Sequence, residues 1–171
     1  MRAESGGPYA VAFRAYEHAK FVAVLRGHFL LQREGEPAPA QLRRGDCYVL
    51  TCGNPYRIFN AEVPDSDAAE IFSSQRGIDG VVRWGNAATD TVTVGSRITF
   101  SREGLTWLRG RLPPFIRIPA GTAEAARFRA LLALLHADPP HALGGAFAAD
   151  RYVGILLLQA LRHLHGGKRQ H

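Results

Sequence analysis

Seven histidines and two cysteines are the residues of this chain best suited to chemistry, and their spacing decides what chemistry each could do. The histidines stand at 18, 28, 136, 141, 163, 165 and 171. A divalent ion needs convergent donors, such as His-x-His on a strand or an i, i+4 pair on a helix. His18 and His28 lie in strand-like sequence with no such spacing and no glutamate at a useful offset, so they read as rim or surface positions. His163 and His165 are two apart on a helical segment and do not share a face; they complement the negative end of that helix. Cys47 and Cys52 fall in one strand at an odd separation, which points them to opposite faces and excludes a mutual disulfide. Neither has an activating neighbour in sequence, so both read as small core residues in a reducing compartment. There is no Gly-x-Ser-x-Gly elbow, and "GGPYA" and "GGAF" lack the Lys-Ser/Thr and the strand-to-helix context of a phosphate loop. Spacing therefore assigns no catalytic residue, no metal ligand and no cofactor.

Aromatic side chains are the remaining chemistry. Phe13, Tyr16, Phe21, Phe29, Tyr48, Tyr56, Phe59, Phe72 and Trp84 sit on strand-like segments. They could line an apolar pocket with a few polar handles, as small-molecule sites are built. The same pattern equally describes a barrel packed solid.

The elements that must position them come next. From Tyr9 to about Phe100 the chain reads as roughly eight short strands, among "YAVAFRAYE", "KFVAVLRG", "HFLLQREG", "PAQLR", "CYVLTC", "YRIFN", "AAEIFSSQ", "GVVRWG" and "TVTVGSRITF". With no helices between them, antiparallel pairing in a sandwich or barrel is expected. After "LRGRLPPFIRIPAG", Thr122 caps a helix that runs to about Ala137, with Glu124 in its first turn and Phe128, Leu131, Leu132 and Leu135 on one face. "DPPHALGG" ends it. A second helix, "FAADRYVGILLLQALRHLH", stops at Gly166 and Gly167 with Lys168 and Arg169 beyond. Its middle is apolar all round, since Ile155, Leu156, Leu157 and Leu158 occupy successive faces, so it needs cover from two sides.

Composition narrows the class. At 171 residues the chain suits one domain. Its 46% apolar and 21% charged residues describe a folded protein. Lys and Arg exceed Asp and Glu by 21 to 15, a net charge of +6. The arginines are scattered with no basic run, which describes a solvated surface rather than a nucleic-acid face. "MRAESGGPYAVAF" has no signal-type apolar core and no stretch suits a membrane span, so a cytoplasmic protein with no membrane partner is expected.

The run "FVAVLRGHFLLQREGEPAPAQLRRGDCYVLTCGNPYRIFN" resembles the cupin-type N-terminal domain of AraC-family transcription regulators. The likeness lies in a strand ending at Gly27, a Pro-rich turn, the Gly45-Asp46 pair, an apolar strand, and the turn Gly53, Asn54, Pro55 and Tyr56. "VGSRITF", "LRGRLPPFIRI" and "ADRYVGILLLQALRHL" resemble the family's later strand, Leu-Pro-Pro segment and closing helix, so the likeness spans about Tyr9 to His165.

The resemblance implies a mainly β fold with C-terminal helices, a cupin-like antiparallel barrel of the jelly-roll type followed by two helices. Residues 1–120 would form the barrel, and 121–171 a helical dimerisation segment packed on it as one structural unit. The implied function is to sense a small organic effector and to dimerise, with DNA reached only through a helix-turn-helix domain that this chain does not contain. Metal-binding cupins place histidines where Val22, Val24 and Tyr56 stand here, which favours a metal-free pocket. The pocket candidates are Phe13, Val22, Val24, Tyr48, Leu50, Tyr56 and Trp84. The homodimer candidates on the final helix are Ile155, Leu157, Leu158 and Leu161. Two alternatives stand beside this reading. One is a cupin isomerase or lyase using Tyr56, Tyr16, His18 or Glu17, and the other is an interaction module that senses nothing.

Overall fold

The structure is a computed structural model that describes residues 1–51, 53–137 and 143–166. Expectations for Cys52, His141, Gly167, Lys168, Arg169 and His171, and for the first five residues of "DPPHALGG", fall outside those residues. The chain divides into two compact units. The first comprises residues 1–17, 24–44 and 52–94, and the second 18–23, 45–51 and 95–171.

In the first unit one sheet has the order β5-β4-β7-β2-β8, built from β2 (Ala10–Phe13), β4 (His28–Arg33), β5 (Ala40–Arg43), β7 (Tyr56–Phe59) and β8 (Ser66–Asp67). Direct cross-strand partners share a face. Phe13 opposes Tyr56, and Leu31 opposes Ile58. One face therefore gathers Val11, Phe29, Leu31, Leu42 and Tyr56, all buried. A second ladder runs β10-β1-β9, from β1 (Arg2–Gly6), β9 (Val82–Gly85) and the first half of β10 (Thr91–Ile98). β1 was not expected. Its outward Arg2 and Glu4 are charged and its inward Ala3 and Ser5 are small, so no apolar alternation announces it.

"AAEIFSSQ", read above as a strand, is a helix, α1 (Ala68–Ser74). The Asp67 carboxylate accepts from the Ala69 backbone N–H at 2.8 Å, and Glu70 sits in the first turn. That Asp-x-x-Glu start is a helix-capping signature, and it outweighed the short apolar run. The expectation of antiparallel pairing alone also needs correction, because β1–β9 and β2–β8 are parallel. Each follows a long excursion of chain, which gives the crossover that parallel strands require.

In the second unit the order is β11-β6-β3-β10, from β3 (Ala19–Arg26), β6 (Cys47–Leu50), β11 (Phe115–Ile118) and the later half of β10. All four residues of β6 are buried, as suits a strand flanked on both sides. Three helices follow, α2 (Arg102–Arg111), α3 (Ala123–Ala137) and α4 (Gly145–Gly166). α2 lies where a connecting bridge was expected. Ser101 caps it by accepting from the Gly104 N–H at 3.1 Å, while its two glycines and Thr106 weaken the helical signal. α3 starts as expected, with Thr122 Oγ1 accepting from the Ala125 N–H at 3.1 Å. It buries Ala125, Phe128, Leu131 and Leu132. Phe128 stacks on Phe21 with ring centroids 6.0 Å apart, which seats α3 on one face of the sheet.

The expected sheet-rich cupin-like fold with C-terminal helices is present, and the described residues form eleven strands in two sheets. Among the described residues each sheet runs from one edge strand to another and no closed barrel forms.

Candidate ligand-binding site

A cleft of about 510 Å³ lies in the first unit. Its walls come from β1 and the turn after it (Glu4, Pro8, Tyr9), the approach to β8 (Val63, Pro64), α1 (Ile71, Gln75) and β9 (Arg83, Trp84). Such a volume suits a small organic molecule, and the lining sets polar residues, Glu4, Ser66, Gln75, Arg83 and Thr89, among apolar and aromatic ones.

Local sequence explains how these side chains meet. In the β1–β9 register Glu4 opposes Arg83 and Ser5 opposes Trp84. Gly85 has φ of +102°, and a Cβ there would collide with the Gly6 carbonyl oxygen. Only glycine lets the chain turn this closely over β1, and the turn brings Ala87 and Thr89 to the cleft. Tyr9 is held by Asn60, whose Oδ1 accepts from the Tyr9 N–H at 2.8 Å while its Nδ2 donates to Gly7 O at 2.9 Å. The Tyr9 and Trp84 rings meet edge to face at 5.9 Å.

The polar atoms differ in how they are satisfied. Burial raises the pKa of the Tyr9 hydroxyl, partly offset by its hydrogen bonds with Ser5 and Thr91. At the mouth Glu4 bridges Arg2 at 2.7 Å and Arg83 at 3.0 Å, and Arg83 also bridges Asp79 at 2.7 Å. The hydrogen bond from Arg2 is the main reason the Glu4 carboxyl titrates below its ordinary range. The indole N–H of Trp84 is cut off from solvent and has no hydrogen-bond partner.

Of the seven residues expected to line a pocket, Trp84 alone lies on this cleft. Phe13 and Tyr56 stack at 4.4 Å, and through Phe72 they join an aromatic row ending at Trp84, with steps of 5.9 and 6.2 Å. Val24 is fully buried in the same unit. In the second unit Val22 opposes Tyr48, and Leu50 opposes Lys20, so all four share the sheet face opposite to that carrying Phe21. Burial, helped by the charge of Arg97, pushes the Lys20 ammonium down to about 8. Tyr9, Ile71 and Gln75 were missed as cleft residues. The capping signature at Asp67 would have flagged α1 and with it the last two; Tyr9, after Gly-Gly-Pro, carries no signal of its own.

The Gly45-Asp46 pair has a structural role. Asp46 is fully buried, and its carboxylate accepts from Arg117 Nη2 at 2.8 Å, Arg117 Nε at 3.1 Å and the Ala120 N–H at 2.8 Å. Arg129 of α3 donates to Gly45 O at 2.6 Å. The pair thus ties β6 to β11 and to the start of α3. Cys47, next to it, is a buried residue whose thiol burial pushes up to about 12, so it stays protonated at neutral pH. Among the described residues, no group of three or more His, Cys, Asp or Glu comes together that could hold a metal ion.

A sequence profile of the cupin family matches residues 1–165, and the chain belongs to that family. Two curated relatives are named as AraC-like transcription regulators. One from Streptomyces antibioticus is 31% identical over 92% of this chain and 52% of its own length. The other, from Streptomyces lividans, is 31% identical over 98% of this chain and 54% of its own. The chain spans about half the length of these relatives. A crystal structure of an apo ToxT variant from Vibrio cholerae is similar in fold, with a TM-score of 0.50 and 6% identity over 91% of this chain and 51% of that one. No helix among the described residues is long and apolar enough to cross a membrane.

Proposed function

We propose that this chain is the effector-sensing and dimerisation domain of an AraC-type transcription regulator. On this reading it is a cytoplasmic, non-catalytic module that binds a small organic effector and acts on DNA through a separate helix-turn-helix domain. Support comes from the cupin fold, the two regulator relatives and the cleft in the first unit.

The observation that carries the dimer is on α4. Leu156, Gln159 and Ala160 are buried within the chain, while Phe147, Ile155 and Leu158 are 66%, 42% and 41% exposed. These three recur at i, i+8 and i+11, along one outward stripe. Arg151 lies in the same stripe with its guanidinium over the Phe147 ring. Leu157 and Leu161 flank it, half-buried. An apolar line exposed on a soluble domain is what a partner helix covers.

Light scattering on the purified chain tests this directly. A dimer is expected, and Leu158→Asp should shift it to monomer, because a charge buried without a partner costs several kcal/mol, about 3–5. Leu157→Asp should act in the same direction. A wild-type chain that stays monomeric at high concentration would end the dimer reading. For sensing, a thermal-shift screen of uncharged and acidic organic compounds should yield a ligand that raises Tm, as any native-state ligand must. A screen with no stabilising compound would count against it.

A further inference from the structure

We infer that the effector site is the cleft bounded by Tyr9, Trp84 and α1, and that it takes a flat, uncharged aromatic or heteroaromatic molecule bearing a hydrogen-bond acceptor. The inference rests on the sensing reading above and adds where the ligand sits and what chemistry it has.

Shape and lining come first. The volume of about 510 Å³ is ample for a fused-ring molecule. Tyr9 and Trp84 present aromatic surface, and Pro8, Val63, Pro64 and Ile71 add apolar patches beside the polar Ser66, Gln75 and Thr89. Offset or edge contacts with a flat ring are the interactions such walls favour.

Polarity comes second. Buried donors in folded proteins are nearly always satisfied. The Tyr9 hydroxyl is satisfied by Ser5 and Thr91. The Trp84 N–H is not, and an indole nitrogen can only donate. A ligand carbonyl or ring nitrogen would supply the missing acceptor. The charged groups at the mouth are already engaged with one another, Arg83 with both Glu4 and Asp79, so the site offers no spare charge to an ionic ligand.

Access comes third. The indole nitrogen is now shielded, and Phe72 of α1 lies against the Trp84 ring at 6.2 Å. α1 has only seven residues and packs on β2, β8 and β9. A ligand in the cleft reaches the N–H by a local shift of the side chains that shield it, so occupancy is read at Trp84 itself.

The probe is Nile red, an uncharged fused-ring ketone. It is titrated into the chain carrying Trp107→Phe, so that Trp84 is the one remaining indole. Saturable binding with quenching of Trp84 emission is expected, together with a shift of the Trp84 indole N–H resonance in nitrogen-labelled protein. Trp84→Phe keeps a ring but removes the donor and should weaken binding about tenfold, the worth of one hydrogen bond. Val63→Trp should block the cleft from its loop without emptying the core, and abolish binding with Tm unchanged. The inference is overturned if both variants bind like the parent or if the indole resonance stays still. Binding lost instead on Tyr48→Ala, and kept in both cleft variants, would move the site to the second unit. That result overturns the inference while leaving the sensing reading intact, which the thermal-shift screen decides separately.

Discussion

The corner at Gly45 and Asp46, in the second unit, and the cleft at Tyr9 and Trp84, in the first, treat buried polar atoms in opposite ways. At the corner one carboxylate takes three hydrogen bonds from Arg117 and Ala120, and the neighbouring carbonyl takes one from Arg129. At the cleft the indole N–H takes part in none, beside a cavity of about 510 Å³. A buried polar group surrounded by its own chain's partners is spending its bonding capacity on the fold. One left without a partner, on a residue that lines a cavity, has capacity for something else. The Gly-Asp motif, the sharpest local pattern in the sequence, therefore belongs to stability, and the proposed recognition site lies where the sequence is plainest.

The largest effect that would break this contrast is expected from Asp46→Ala. It strips the Ala120 N–H and the Arg117 guanidinium of their acceptor, and should cost about 2–4 kcal/mol in urea unfolding. A loss below about 1 kcal/mol would mean the corner is not the lock described.

A smaller loss is expected from Gly45→Ala. Gly45 has φ of +91°, and a Cβ there would stand 2.8 Å from the Ala120 Cβ. Strain and crowding together should cost about 1–3 kcal/mol. Unchanged stability would show that the turn can relax.

A third effect extends the comparison to a charge. Lys20 shares its sheet face with Leu50, and its ammonium titrates at about 8 in the folded protein. The unfolded chain holds that proton up to about pH 10.4. As pH falls from the upper value to the lower, the unfolded state takes up a proton that the folded state refuses, so Lys20 lowers stability across that window. Below about 8 both states are charged and the penalty is constant. Lys20→Met should accordingly be more stable than the parent near neutral pH, with the advantage fading as pH rises through the window. Thermal unfolding at a series of pH values measures it, and a pH-independent difference would rule out burial of the charge as its source.

Legibility followed periodicity. Strands β3, β6 and β7 and helices α3 and α4 carry apolar runs or 3.6-residue spacing strong enough to read directly. α1 was read as a strand because "AAEIF" is short and apolar, and its capping carboxylate was given too little weight. β1 was passed over because alternating charged and small residues mimic a loop. Trp84 was named for its aromaticity, whereas Tyr9 and Ile71 reach the same cleft through the parallel β1–β9 ladder and the α1 turn, which no local pattern encodes.

By itself the sequence determined the family, most of the strands between β2 and β10 and the two C-terminal helices, because those follow from local residue type and period. Only the tertiary structure decided that Asp46 is a lock, that Ile155 and Leu158 are exposed while Leu157 and Leu161 are half-buried, and that the cavity opens beside Trp84. Each of these depends on which distant segments meet, and hydrogen-bond satisfaction is a property of that meeting rather than of any stretch of chain.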